Sequence, residues 1–395
     1  MTYEERILAA IRGEAVDRLP FVPRLDLWYN GNKRKGTLPD KYKNASLRDI
    51  IEELDVGYHC NVPNFSTLEQ EDDNAHVGLG IYKTLSVFYD PVVDVEYTVT
   101  HEEGKTTTVY QTPYGPLTTA TYLDDKMVRE GINQPIIMKP AIECLEDYRK
   151  VGYVFDHIAI RPRFSYYDRM KELVGDRGIV TGFQYEGGSP MHGILKEMSQ
   201  FEHFWFDFYD NIEVMEECCD HMRPVLREMV KVMAECESPV LYCGANYDAM
   251  TTNPNLFRDY ITEDLKWCSD YLHSKGKLCL THTDGENFML LEEYKKAEID
   301  IADSVTPAPM TKLGLSDYRE AFGRDICIFG GICAISVMEE SMSDYEFEKY
   351  VDTVLTDIGD GRKIVLSVAD STPPGAKWER IEYLNKKCRE FGPVK

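Results

Sequence analysis

The chain has 395 residues, 43% of them apolar and 28% charged, proportions that suit a globular protein with a sizeable core and exclude wholesale disorder. Its formal net charge is -24, from 68 acidic against 44 basic residues, and no Lys/Arg run resembles a phosphate-tracking stripe, so nucleic acid is a poor partner. No apolar run approaches the roughly 18 residues of a membrane span, and the 11 cysteines, odd in number and mostly set in apolar runs, suit reduced core thiols better than a disulfide framework.

The chain opens on MTYEERILAAIRGE, a charged amphipathic helix rather than a signal peptide, which leads to the expectation of a cytoplasmic protein. Apolar runs bounded by turn residues then alternate with long amphipathic stretches. Eight of these runs read as strands, at 19–25, 56–63, 178–185, 239–245, 277–283, 300–306, 327–333 and 363–369. Runs such as IVTGF and KIVL lack the alternation of a half-exposed strand, which fits strands covered on both faces. Helical stretches separate most of them. NPNLFRDYITEDLKWCSDYLHSKG, for example, starts with Asn253 and Pro254 and stops at Gly276. Eight buried strands with intervening helices predict an α/β fold, a (β/α)8 TIM barrel, with a doubly wound open sheet as the alternative.

Residues 90–123 break the alternation. β-branched and aromatic residues with turn signals at Glu-Gly and Tyr-Gly-Pro predict β-hairpins inserted between the second and third barrel strands, within about 82–124. No repeat or linker forces a second domain, so residues 1–395 are expected to form one barrel domain.

Barrel enzymes gather their chemistry at the C-terminal strand ends, where the following loops converge. Those ends carry Arg24 and Asp26, Asn61 and Asn64, Glu186, Asn246 and Asp248, His282 and Asp284, Asp303, Cys333, and Asp370. So many acids in one mouth raise one another's pKa and cost stability, a strain that a bound cation or a positive ligand relieves. His282 and Asp284, two residues apart, project to the same side of an extended chain. That spacing suits a metal site, a proton-transfer pair or a hydrogen-bonded corner. A catalytic zinc site takes three protein ligands, and the third would be Asp370, with Cys333 as the substitute ligand. Glu186, before two glycines, and His282 are the candidate catalytic groups. Arg24, Asp26, Tyr185, Asn246 and Asp248 are the candidate substrate-binding residues. Trp28, Tyr29, Tyr166 and Tyr167 would line an aromatic pocket or simply pack.

Four segments carry a family likeness: ERILAAIRGEAVDRLPFVP, NPNLFRDYITEDLKWCSDYLHSKGKLCLTHTDG, DIADSVTPAPMTKLGLSDYREAFGRDICIFGGI and VLSVADSTPPGAKWERIEYL. Together they resemble the uroporphyrinogen decarboxylase superfamily, and more closely its branch of corrinoid-dependent methyltransferases. The resemblance implies zinc bound through a His-x-Cys pair and a later cysteine. His282 matches the histidine, while Asp284 and Asp370 stand about where the two cysteines would be. Oxygen ligands make a harder, more Lewis-acidic site, suited to an oxygen or nitrogen leaving group. True decarboxylases of the family carry two arginines after the first strand, and PRLDLWYNG offers Arg24 alone.

The expectation is therefore a zinc-assisted methyltransferase that passes a methyl group from a small donor to cobalamin on a separate small corrinoid protein. An aromatic methyl ether is the first donor considered, on the strength of 25 tyrosines and the hard site. The alternative is a decarboxylase or lyase acting on a small polycarboxylate. A homodimer is allowed, and neither a nucleic acid nor a membrane partner is expected.

Overall fold

The structure is a computed structural model that describes residues 1–62, 75–82, 88–129, 132, 134–183 and 188–395. Its centre is eight parallel strands: β1 (Phe21–Val22), β2 (Tyr58–Val62), β3 (Gly178–Phe183), β4 (Val240–Tyr242), β5 (Leu278–His282), β6 (Ile301–Val305), β7 (Cys327–Ile332) and β8 (Ile364–Val368). Every one lies within a stretch that the sequence marks as a strand. Chain order is kept all the way round, and β1 pairs with β8 through Phe21↔Leu366 and Val22↔Ser367. The amide of Gly57, just before β2, donates to the carbonyl of Phe21 at 2.9 Å and completes the circuit. A doubly wound sheet reverses its strand order at a switch point, so that alternative is excluded.

The unalternating runs have the expected cause. β6, β7 and β8 are buried at every residue, inward against the barrel interior and outward against helices. The helix signals hold as well. Asn253 caps Pro254–Tyr260 by accepting from the Asn255 amide at 2.9 Å, and the helix Thr262–Ser274 gives way to Gly276 in the left-handed region at φ +69°. Trp28, Tyr29, Tyr166 and Tyr167 are buried in the core, with Trp28 stacked on Trp378 at 4.5 Å, so these aromatics pack rather than line a pocket. None of the eleven cysteines forms a disulfide, and Cys144 alone is exposed. Among the described residues, no helix is long and apolar enough to cross a membrane.

The insertion is larger than the expected 90–123. Tyr97–Glu102, Lys105–Thr112 and Gly115–Tyr122 form the antiparallel meander, and a fourth strand, Ile136–Lys139, joins its edge. A separate antiparallel pair couples Tyr89–Val93 to Ile158–Pro162. These two extra strands are four and five residues long, and their sequences IIMK and IAIRP show no regular apolar-polar alternation, so long-range pairing reveals them.

The close contact of β2 and β3 depends on one glycine. A Cβ on Gly178 would lie 1.6 Å from the carbonyl oxygen of Tyr58, a backbone atom that cannot rotate away. Gly178→Ala is therefore expected to push the two strands apart and cost about 1–3 kcal/mol or more. Chemical denaturation would show this as a lowered midpoint, and an unchanged midpoint would mean that the strands do not approach so closely.

Candidate functional site

The residues that meet at the C-terminal mouth come from distant parts of the chain. His282 ends β5 and Asp284 follows it; Asp303 lies within β6; Arg24 follows β1 and Asp370 follows β8. Three of the non-glycine residues here have left-handed backbones, Arg24 at φ 51°, Ser304 at 61° and Asp370 at 61°. Such conformations are uncommon for these residue types and persist where surrounding contacts over-determine them. At Ser304 the cause is a bulge. The register of β6 against β7 shifts between Asp303 and Val305, and Gly330 opposite it has no room for a side chain, since a Cβ would lie 2.5 Å from the Val305 nitrogen.

Asp303 is completely buried and accepts from four groups on four strands or loops. His282 Nδ1 lies 2.9 Å from Oδ2, the Tyr242 and Ser304 hydroxyls donate to it at 3.1 Å, and Arg24 Nη1 donates at 3.2 Å. Burial opposes its ionisation, but Arg24 and then His282 outweigh burial and hold the carboxyl well below the usual carboxylate range. His59 Nδ1 stands 3.8 Å from the other oxygen, and burial depresses that imidazole to about 3, so it is neutral. Its Nε2 pairs with the Thr181 hydroxyl at 2.9 Å, which donates onward to Asn61 Oδ1 at 2.6 Å.

With Nδ1 taken by Asp303, the other nitrogen of His282 faces the mouth. Nε2 lies 3.4 Å from Asp284 Oδ2 and 3.7 Å from Asp370 Oδ1. One donor atom from each of these three side chains falls within 4.8 Å of the others, the one such group among the described residues. The set fits a divalent cation on three grounds. It offers three donors of the imidazole and carboxylate kinds that zinc accepts. The histidine is oriented by a buried carboxylate behind it, as metal-binding histidines are. Finally, Asp370 is 61% exposed, which leaves an open side for a further ligand.

The other sequence-derived candidates are more scattered. Asp26 heads the helix Asp26–Lys35 and accepts from Tyr58 Oη at 2.8 Å. Asn246 is exposed, with a left-handed backbone at φ 57°. Asp248 accepts from the amides of Met250, Thr251 and Glu286 at 2.8, 3.3 and 2.9 Å, so its carboxylate fastens the loop after β4 to the loop after β5. Cys333 is buried and stands apart from the metal-capable group, and burial pushes its thiol up, both unfavourable to the ligand role allowed for it. Glu186, Tyr185 and Asn64 lie outside the described residues.

Sequence reasoning gave Asp303 no task and passed over Tyr242, His59 and Ser304. Tyr242 carries the clearest signal: a phenol in the midst of an apolar strand needs a partner for its hydroxyl.

In the cation-free protein, burial opposes protonation of His282, but Asp284 and then Asp303 outweigh it and lift the imidazole to about 10. Because the folded value lies above that of the unfolded chain, the stabilisation is complete below about pH 6.5 and is lost as pH rises through about 10. NMR titration should therefore find an imidazolium that persists past pH 8, and Asp284→Asn should lower its pKa. A ring titrating near 6.5 in the wild type would refute this electrostatic picture.

The family model described as uroporphyrinogen decarboxylase (URO-D) matches residues 125–391, more than half of the chain. Among solved structures, a methyltransferase from Methanosarcina mazei superposes with a TM-score of 0.57 at 13% identity, covering 99% of this chain and 99% of that one. A D-psicose 3-epimerase from Clostridium cellulolyticum H10, solved with D-tagatose, reaches a TM-score of 0.31 at 9% identity over 57% of this chain and 81% of its own. No curated protein matches the chain. The first of these structures shares its fold across the full length, and the family match covers the segments that build β3 to β8 and the His282 centre: the chain belongs to the uroporphyrinogen decarboxylase family.

Proposed function

We propose that the chain is a methyltransferase of this family, taking a methyl group from a small methylated donor and passing it to the cobalt of cobalamin carried by a separate corrinoid protein. The observation that carries this reading is the orientation of His282, with Nδ1 fixed by Asp303 and Nε2 set between Asp284 and Asp370. An unactivated methyl ether or amine has a poor leaving group, so the enzyme must stabilise charge on the departing heteroatom. Zinc held by His282, Asp284 and Asp370 would supply Lewis acidity there, and an oxygen-rich ligand set favours an oxygen or nitrogen atom over sulfur.

The chain's own groups have separable tasks. Asp303 keeps the His282 ring in one orientation, and Arg24 compensates the charge of Asp303. Before a cation binds, Nε2 carries a proton between two carboxylates, so cation and proton compete for one nitrogen. Glu186, outside the described residues, remains the proposed second acid on its sequence position before two glycines. An aromatic methyl ether is the proposed donor, in keeping with the hard site.

The rim supports a protein partner. Met250, Phe288, Met289 and Met310 expose apolar side chains on the loops that follow β4, β5 and β6. These loops are cross-linked by Glu286, whose amide reaches Asp248 and whose carboxylate accepts from the Lys312 amide at 2.8 Å. Apolar side chains clustered on a rim are a recurrent feature of protein contact surfaces. The second reading, decarboxylation of a polycarboxylate, follows from the description of the family model. It is disfavoured by Asp284 and Asp370, which place negative charge where a polyanion would bind.

Metal analysis of the purified protein is expected to find about one zinc per chain, and His282→Ala should abolish its uptake. Mixing the protein with aromatic methyl ethers and a cob(I)alamin carrier should produce the methyl–cobalt spectrum, at a rate lowered about 10²-fold or more by His282→Ala. A metal-free protein whose activity survives that substitution would sink the proposal.

A further inference from the structure

We infer that Arg24 is a positioning residue for the His282–Asp284–Asp370 centre, acting through its side chain and its main chain at once, and not an anchor for the substrate. The inference rests on the metal-site reading above and adds to it a residue that binds neither metal nor substrate.

The side chain works on one ligand. Arg24 Nη1 donates to both oxygens of Asp303, at 3.4 and 3.2 Å, and to the Ser304 hydroxyl. Asp303 in turn holds His282 Nδ1 at 2.9 Å. Without the guanidinium, the fully buried Asp303 would lose the cation that compensates it and the hydrogen bonds that fix its carboxylate against His282. Arginine suits the task because it stays charged when buried, which lysine does less reliably.

The main chain works on a second ligand. The Arg24 carbonyl accepts from the Thr372 amide at 3.0 Å, two residues beyond Asp370, and the Thr372 hydroxyl donates to the Pro23 carbonyl. Thr372 is completely buried. Further along, Asn32 Nδ2 donates to the Pro374 carbonyl at 2.9 Å. The loop after β1 thus holds the segment that presents Asp370, and the left-handed backbone of Arg24 turns its carbonyl and its guanidinium to these two tasks. A substrate anchor would present its guanidinium to the open mouth; Arg24 is 9% exposed.

Arg24→Gly separates the two arms, because glycine keeps the left-handed backbone without strain and deletes only the side chain. Cobalt(II) titration against a competing chelator should show affinity falling about 10–100-fold, with an altered visible spectrum. Arg24→Lys should restore part of the affinity. Thr372→Val, which removes only the hydroxyl tie to Pro23, should weaken binding less and tests the second arm even if Arg24→Gly does not fold. Unchanged cobalt affinity and spectrum in Arg24→Gly, with only the KM for the methyl donor raised, would overturn the inference and make Arg24 a substrate anchor. If the wild type takes up no divalent cation, the proposed function fails, and the inference is then read from 15N NMR of His282. Resonances shifted by Arg24→Gly would support it, and resonances identical to the wild type would overturn it.

Discussion

The mouth of this barrel is organised around one buried negative charge. Asp303 has no access to water and remains ionised only because donors from the loop after β1, from β4 and β5, and from the neighbouring Ser304 converge on it. Such a cluster is a doubtful source of stability, since the cost of dehydrating the ions rivals their attraction. Its value is geometric. The carboxylate aligns side chains from separate strands and decides which nitrogen of His282 looks outward, and the chemistry of the centre depends on that choice.

The backbone is shaped to the same end. The bulge at Ser304 inserts one extra residue into β6 just after Asp303, so that Asp303 and Ser304 can both serve the network although neighbours on a regular strand point to opposite faces. Gly330 on β7 leaves the space that the bulge requires. In the run CIFGGIC, read as a strand, nothing in the sequence gives this glycine a reason, which becomes visible only in the pairing of β6 with β7.

Much of the barrel could be read in advance because each strand has a strong local signature, a short apolar run closed by a polar residue. KLCLTHT and KIVLSVA are of this kind, and both end beside the centre. His282, Asp284 and Asp370 were legible for the same reason, as groups at the ends of such runs. Asp303 was visible but mute. Its importance comes from four partners separated from it by up to 279 residues, and no local pattern carries that information. Asp248 shows the opposite failure. It has the right chemistry at a strand end, but its carboxylate is occupied by three backbone amides that lie close by in space. The strands at 136–139 and 158–162 were missed because short segments acquire their structure from their pairing partners.

The stitching of the rim loops by Asp248, Glu286 and Lys312 has a kinetic consequence. Loops that are already hydrogen-bonded to one another lose little conformational freedom when something settles on them, so their entropy need not be surrendered at the moment of contact. A molecule that settled on these three loops would meet a surface whose shape is set beforehand. Its arrival would be governed by diffusion and orientation rather than by waiting for these loops to order, and its departure would not be coupled to their melting.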